Sequence, residues 1–501
     1  MFTDEVQEAV SVESRWRKAP ELCDAVCQTV EVRRAEASVQ IGRSAKISTQ
    51  TEPLECREQP AIDGITESSV DSPRLARFLR QVEPMVSKEL SKNIKSHAFD
   101  GFEVNWIDQP QTVSCLHTLH YPEAQERQLH VTGVSWNVTG SVIACAYGRL
   151  EDGDWNTEKS YVCSWNLDRR GLNPTRPNTV IDVSSAVMCL AFHPVEPSLI
   201  AGGLFNGEVL VWNSCKTDDP LIARSGMSED THREPVYQVQ WIQSLSRSNR
   251  IHILSSSTDG KILIWQMDGR GRLVLQDGFA LVVQQMPRNV KLHKAREGTL
   301  FGVTALSFSH LDKTVFIAGV EGGYVLKCST EVLMRASLGS GSVPLKAPAQ
   351  FTFSPHCGPV HSVDCSPFHR NLFLTAGTDG HVHLYSMLQA EPILSLQLSQ
   401  TYLFSVIWSS VRPLVFAAAT GDGTVLIFDL GQNSLCPAVS IEQNAGRTPV
   451  YCLAFNPKQP ELLAAGNAEG SVKVWQLSAE LTKQGPREMI ILEQLANEVA
   501  D

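Results

Sequence analysis

Between residues 356 and 383 the chain gathers His356, Cys357, His361, Cys365, His369, His381 and His383, residue types that ligate zinc. Their arrangement argues against a metal. His381 and His383 alternate along one strand-like stretch, and His356 takes its place in a structural repeat. A second acidic run, Asp152-Gly153-Asp154-Trp155-Asn156, has the start of a calcium loop. It carries Thr157 where the sharp turn needs glycine and Cys163 where a bidentate glutamate belongs, so the cage cannot close. The sequence contains no phosphate-cradling G-x-x-x-x-G-K-[ST] loop, no G-x-S-x-G elbow and no H-E-x-x-H pair. These absences predict a chain with no catalytic constellation, no cofactor and no metal.

From residue 131 onward one pattern recurs. An apolar strand leads to a turn, then a strand of small residues, an Asp-Gly or Asn-Gly turn, and a strand ending in an aromatic. Val187–Trp212, Val360–Tyr385, Leu403–Phe428 and Val450–Trp475 each span the same 25 positions, as does Val303–Cys328 with cysteine in the aromatic place. Val236–Trp265 is four residues longer, and Val131–Trp165 carries an insertion near residues 151–159. Alternating apolar positions such as Val187, Leu190 and Phe192 mark strands with two unlike faces. Asn206-Gly207, Asp259-Gly260, Asp379-Gly380 and Asp422-Gly423 supply the positive φ of tight hairpins. Ala201-Gly202-Gly203 and Ala464-Ala465-Gly466 are small where strands must crowd. One such unit cannot bury both faces of its sheet, whereas seven arranged radially can. The expectation is an all-β, seven-bladed WD-repeat β-propeller, with extra residues in loops and a long outer strand, chiefly over 269–300.

WD repeats stabilise each blade with an Asp–His–Ser/Thr–Trp network, and here it is incomplete. His232, Asp259 and Trp265 fit one blade and His356, Asp379 and Thr375 another, but the Trp212 blade has Asn206 and no matching histidine. The nearest approach to a Trp-Asp dipeptide is Phe428-Asp429. Closing the ring requires one more strand, and Thr112–Tyr121 is expected to supply the outer strand of the last blade.

Composition limits the setting. A net charge of −11 is the wrong sign for a phosphate-binding surface or for anionic lipid, so neither nucleic acid nor membrane is an expected partner. No apolar run approaches the ~20 residues of a membrane span. The N-terminal residues have neither the apolar core of a secretory signal nor the arginines of a transit peptide. Thirteen scattered cysteines without a C-x-x-C pair predict reduced thiols in the cytoplasm.

Residues 1–70 are rich in Glu, Ser, Gln and Thr without periodicity, which predicts a disordered arm. Two β-permissive segments within it, Thr49-Gln50-Thr51-Glu52 and Cys27–Val32, could add to the sheet edge of another protein, although solvated linker is the favoured reading of so short a signal. Over 71–97 the pattern becomes helical. Ser72 is a suitable N-cap, Pro73 sits at the first position, and Leu75, Phe78, Leu79, Val82, Val86 and Leu90 form one stripe interrupted by Pro84. That stripe fits either the flank of the propeller or the groove of a partner, with a kink or a break at the proline. The propeller is expected over 98–480, followed by a tail, 481–501, capable of forming helix.

Lys92–Trp106, Ser141–Leu150, Trp165–Arg170 and Phe351–Met387 carry a resemblance to the cytoplasmic dynein intermediate chains, nearest to the WD-repeat chains of dynein-2. The resemblance spans roughly residues 70 to 490. It implies a non-catalytic subunit whose propeller holds the dynein-2 heavy chain and whose arm binds dimeric hub, roadblock-type and Tctex-type light chains beside a second, different intermediate chain. Thr49, Gln50 and Thr51 match the core that the hub light chain recognises, with Lys46 three residues ahead where the family places lysine two ahead. The Leu75–Leu90 stripe corresponds to the segment bound by roadblock-type chains. Retrograde intraflagellar transport is the implied process, in the cytoplasm and cytoskeleton, at the axoneme and basal body of the cilium and at the centrosome. The competing class is a propeller adaptor or substrate receptor of a ubiquitin ligase, which would have no light-chain motif upstream.

Overall fold

The computed structural model describes residues 72–95, 113–149, 159–244, 250–287, 290, 296, 298–338, 341–432 and 436–497. The chain divides into two units, Met1–Val104 and Asn105–Asp501. In the first, a helix runs from Ser72 to Lys95 straight through Pro84. Pro84 therefore neither splits nor ends the helix.

The second unit contains seven sheets of four antiparallel strands among the described residues. Numbered as blades 1 to 7, their first strands are His130–Trp136, Val187–Phe192, Val236–Gln243, Val303–Phe308, Val360–Cys365, Leu403–Trp408 and Val450–Phe455. Each first strand packs on the first strand of the next blade, and that of blade 7 returns to that of blade 1. The result is a closed ring around a central channel: a seven-bladed β-propeller.

Closure is a matter of strand pairing. Val113–His120 pairs antiparallel with Ser471–Leu477 and completes blade 7 from the opposite end of the chain. Leu119 on that strand is fully buried and packs with Val472 and Val474 of blade 7 and with Val131, Cys145 and Tyr147 of blade 1. Burying such a leucine contributes about 1.5–3 kcal/mol, and the strand also covers an edge that would otherwise expose its backbone.

The core lies between the blades, and small residues set its spacing. A Cβ added to Gly203 would stand 2.5 Å from Val236 Cγ1, and one added to Gly319 would stand 2.6 Å from Val360 Cγ1. In both pairs the first residue of the following blade wedges against the second strand of the blade before it. Side chains then staple neighbouring first strands together. Ser135 Oγ accepts from Phe192 N at 3.0 Å, Ser307 Oγ from Cys365 N at 3.0 Å, and Gln238 Oε1 from Leu306 N at 2.6 Å. Trp241 Nε1 donates to Ala191 O at 3.0 Å and Trp136 Nε1 to Ala454 O at 3.0 Å.

Two further devices lie outside the repeat pattern. The connection between the third and fourth strands of blade 4 crosses back to blade 3, where Lys346 N donates to Gly278 O and Ala280 N to Lys346 O. Lys346 Nζ reaches Asp277 Oδ2 at 2.6 Å. The outer edge of blade 3 is covered in this way. At the C-terminus, helices Ala479–Thr482 and Glu488–Asn497 follow the last strand, and Leu492 and Ala496 bury against blades 5 and 6. Buried Arg412 fastens them: Nε donates to Glu488 Oε1 at 2.9 Å, Nη1 to Glu480 O at 2.6 Å, and Nη2 pairs with Asp429 at 2.9 Å. Such a triad holds its place because removing one member strands a buried charge at about 3–5 kcal/mol.

A chain starting at Ala98 should melt like the full chain, whereas one starting at Pro122 lacks the closing strand. Differential scanning calorimetry should place its Tm lower by roughly 10 °C or more; equal melting would show that closure does not depend on that pairing. A second expectation concerns Asp364, whose Oδ2 accepts from Trp408 N at 2.6 Å. Burial pushes its carboxyl up to about 7, well above an unfolded aspartate. The folded state therefore binds the extra proton, and the associated stability is present below pH 4 and lost as pH rises through 7. The effect is on the order of a few kcal/mol at most. Denaturant titrations at pH 5 and pH 8 should show Asp364→Asn removing this loss; an unchanged pH profile would place the dependence elsewhere.

Candidate functional site

The hub light-chain match Thr49-Gln50-Thr51, together with Cys27–Val32, lies outside the described residues. The helical stripe lies within them. Leu75, Phe78, Leu79, Val86 and Leu90 are exposed at 47–57% and Met85 at 66%, while Val82 is half-buried. A row of large apolar side chains in water gains nothing from burial, and most of a protein helix's stability comes from tertiary packing of such a face.

In the propeller the polar clusters divide into structural and spare. His232 Nδ1 contacts Asp259 Oδ1 at 3.2 Å, its Nε2 meets Ser255 Oγ at 2.7 Å, and Trp265 Nε1 donates to that hydroxyl at 2.8 Å. Ser255 is the fourth member that the sequence reading had not named. Burial works against the Asp259 carboxylate, but the His232 hydrogen bond and the Lys261 N–H hold its pKa below the ordinary range. In blade 5, His356 repeats the scheme with Asp379 at 3.0 Å and Thr375 at 2.7 Å, but Tyr385 in the aromatic place turns its hydroxyl to Ser354 O at 2.6 Å. Blade 7 replaces histidine with glutamine: Trp475 Nε1 donates to Gln443 Oε1 at 2.8 Å, and Gln443 Nε2 to Ala465 O at 2.8 Å. Among the described residues blade 1 lacks the network, and Trp165 Nε1 is buried without a partner there.

His356, Asp379 and His383 bring ligand atoms within 4.8 Å of one another. The chemistry of the set does not fit a cation. The His356 and His383 rings stack at 4.2 Å and 13°, which turns their in-plane lone pairs away from a common point. Both His356 nitrogens are engaged by Asp379 and Thr375, and His383 Nδ1 meets Tyr385 Oη at 2.9 Å. Burial, then the neighbouring His356, lowers the His383 pKa to about 4, so it is neutral at physiological pH.

A cavity of about 1020 Å³ lies at the end of blades 3 and 4 away from the Asp-Gly turns, bordered by Gln240, Trp241, Ser307, Phe308, Lys313 and Asp364. At the turn end, every first strand carries a β-bulge at its second repeat position, which places Thr132, Met188, Tyr237, Thr304, His361, Phe404 and Tyr451 out of register with their neighbours. The sequence reading missed these positions, although aligning the repeats on their first valine or leucine would have put them in one column. Among the described residues no helix is long and apolar enough to cross a membrane.

Comparison with known proteins agrees with this architecture. Residues 288–448 match the family model described as the dynein axonemal intermediate chain 3 WD40 domain, and residues 439–476 match the WD domain, G-beta repeat. The chain is 58% identical over 501 residues to mouse (Mus musculus) cytoplasmic dynein 2 intermediate chain 2, covering 99% of this chain and 92% of that protein. It is 61% identical over 435 residues to the human (Homo sapiens) protein of that name, covering 86% and 81%. Rat (Rattus norvegicus) dynein axonemal intermediate chain 2 is 28% identical over 410 residues, covering 80% of this chain and 60% of that protein. The chain belongs to the dynein intermediate chain family, as a WD-repeat chain of the cytoplasmic dynein-2 type.

Proposed function

We propose that this chain is a non-catalytic scaffold of the dynein-2 motor. The observation that carries the reading is the 58% identity extending over 92% of a cytoplasmic dynein 2 intermediate chain. In this reading the propeller binds the tail of the dynein-2 heavy chain. The arm over 1–70 and the helix over 71–97 bind dimeric light chains of the hub, roadblock and Tctex types. Shared dimeric light chains hold a second, different intermediate chain alongside, raising the local concentration of one arm near the other. The cellular role is retrograde intraflagellar transport and cilium assembly, from the cytoplasm to the ciliary axoneme, basal body and centrosome.

The exposed stripe supports the helical part of the proposal. A groove in a roadblock-type dimer would bury Leu75, Phe78, Leu79, Val82, Val86 and Leu90 along one face, as groove-bound amphipathic helices do. The arm segment would pair as an added strand, with Thr49 and Thr51 on one face and Gln50 on the other.

Two sets of substitutions separate these contacts. Replacing Thr49, Gln50 and Thr51 with alanine should weaken hub light-chain binding at least tenfold, about 1.4 kcal/mol, in calorimetry on an arm peptide. Phe78→Asp with Leu79→Asp should abolish roadblock-type capture by the full chain without lowering the propeller's Tm. Unchanged hub affinity would move that site elsewhere in the arm, and undiminished capture would remove the helix from the interface.

A further inference from the structure

The C-terminal helix Glu488–Asn497 shows what the face away from the Asp-Gly turns can hold. In blade 6 the first and second strands join through a corner in which Ser409 N donates to Val415 O at 2.8 Å and Leu430 N to Leu414 O at 2.9 Å. The helix lies against that corner. Its Glu488 accepts from Arg412 Nε at 2.9 Å, and Leu492, one turn later, is buried with Leu414 and Leu430. Blade 4 builds the same corner: Ser309 N donates to Val315 O and Thr330 N to Thr314 O, both at 2.9 Å. Ser309 Oγ accepts from Asp312 N as Ser409 Oγ accepts from Arg412 N. In front of the blade 4 corner lies the cavity of about 1020 Å³, lined by Phe308, Lys313, Thr314 and Thr330 and by Trp241 and Ile242 of blade 3. Thr314 and Thr330 stand where blade 6 has Leu414 and Leu430, and Lys313 is one position past the equivalent of Arg412.

Most of the polar groups around the cavity are matched. Lys346 pairs with Asp277 at 2.6 Å, Asp364 Oδ2 accepts from Trp408 N, and burial lowers the His310 pKa, which keeps it neutral. Asp312, beside Lys313 but outside the lining, accepts from Thr314 N and Oγ1. Two lining charges are left over. Among the described residues neither Lys313 nor Glu331 is in an ion pair, and Lys313 Nζ donates to the neutral amide oxygen of Gln243. A complementary guest therefore brings both an acid and a base. It must also satisfy its own backbone, because the amides of the corner are already bonded to one another. A helix meets that condition, and an added strand, which needs an open edge, does not.

We propose that the blade 4 corner, at the seam with blade 3, binds an amphipathic helix of a partner protein. A Glu or Asp of that helix pairs with Lys313 Nζ, a leucine one turn later enters the cavity beside Trp241, Ile242 and Phe308, and a basic residue meets Glu331. The chain's own C-terminal helix is the template, with Arg487, Glu488 and Leu492 in that order. The inference rests on the equivalence of the two corners and is independent of the motor assignment.

Fluorescence anisotropy tests the site, with the full chain titrated into a labelled peptide of its own residues 486–497. A hydrocarbon staple across Ile490 and Gln494, both exposed in the docked helix, fixes the peptide as helix. The peptide should bind saturably. Lys313→Glu, on an exposed loop, should weaken it at least fivefold, and a peptide with Glu488→Lys should recover that affinity on the Lys313→Glu chain but not on the unaltered one. Leu492→Asp in the peptide should abolish binding. Absence of saturable binding would overturn the proposal. So would an affinity unchanged by Lys313→Glu, the result expected if the peptide merely exchanges with the chain's own helix at Arg412. Equal affinity for an unstapled peptide with Glu493→Pro, which cannot complete the helix, would also overturn it.

Discussion

The pairing of Val113–His120 with Ser471–Leu477 is the constraint on which the propeller depends. A blade is stable only when a neighbour covers each of its faces, and a row of blades has two bare ends until it becomes a ring. Supplying the last strand from the beginning of the propeller ties closure to a contact between residues more than 350 positions apart. The loop entropy of such a contact is large in total but grows only slowly with length. Many inter-blade contacts offset it: the valine wedges against Gly203 and Gly319, and the side-chain staples from Ser135, Gln238 and Ser307.

Because closure is carried by packing and these staples, the intra-blade polar networks are free to degenerate. Among the described residues, only the His232 blade holds the complete Asp–His–Ser–Trp set. Tyr385 and Gln443 replace members elsewhere without opening a blade. The histidine-rich stretch in blade 5 belongs to this structural economy. The His356–His383 stack looks like a ligand cluster in sequence, but three of its four ring nitrogens are already engaged. A rigid ring of this kind suits a platform for other chains, consistent with the family to which this one belongs.

Much of this was legible in the residues because the signals are local. Five repeats of equal spacing, turn glycines such as Gly207 with φ of 88°, and the strand-like Thr112–Tyr121 each reveal themselves within a short window. What escaped is carried by contacts between distant residues. Ser255 looks like any strand serine until His232 and Trp265 converge on it. The strap through Lys346 has no periodicity and reads as loop, yet it pairs with the edge of blade 3. Arg412 gives no sign in sequence that it meets Glu488, 76 residues on. Of the candidate light-chain sites, the helical stripe was read from its 3.6-residue period, and its exposure is visible only in three dimensions. Thr49-Gln50-Thr51 lies outside the described residues and rests on the family resemblance alone.

The central claim is that this propeller serves a motor rather than a ligase. The most direct measurement is quantitative mass spectrometry of the tagged full chain purified from ciliated cells. The account predicts dynein-2 heavy chain in stoichiometric amount, with a second, different intermediate chain and dimeric light chains. Recovery of ubiquitin-ligase adaptors in stoichiometric amount, without heavy chain, would contradict it.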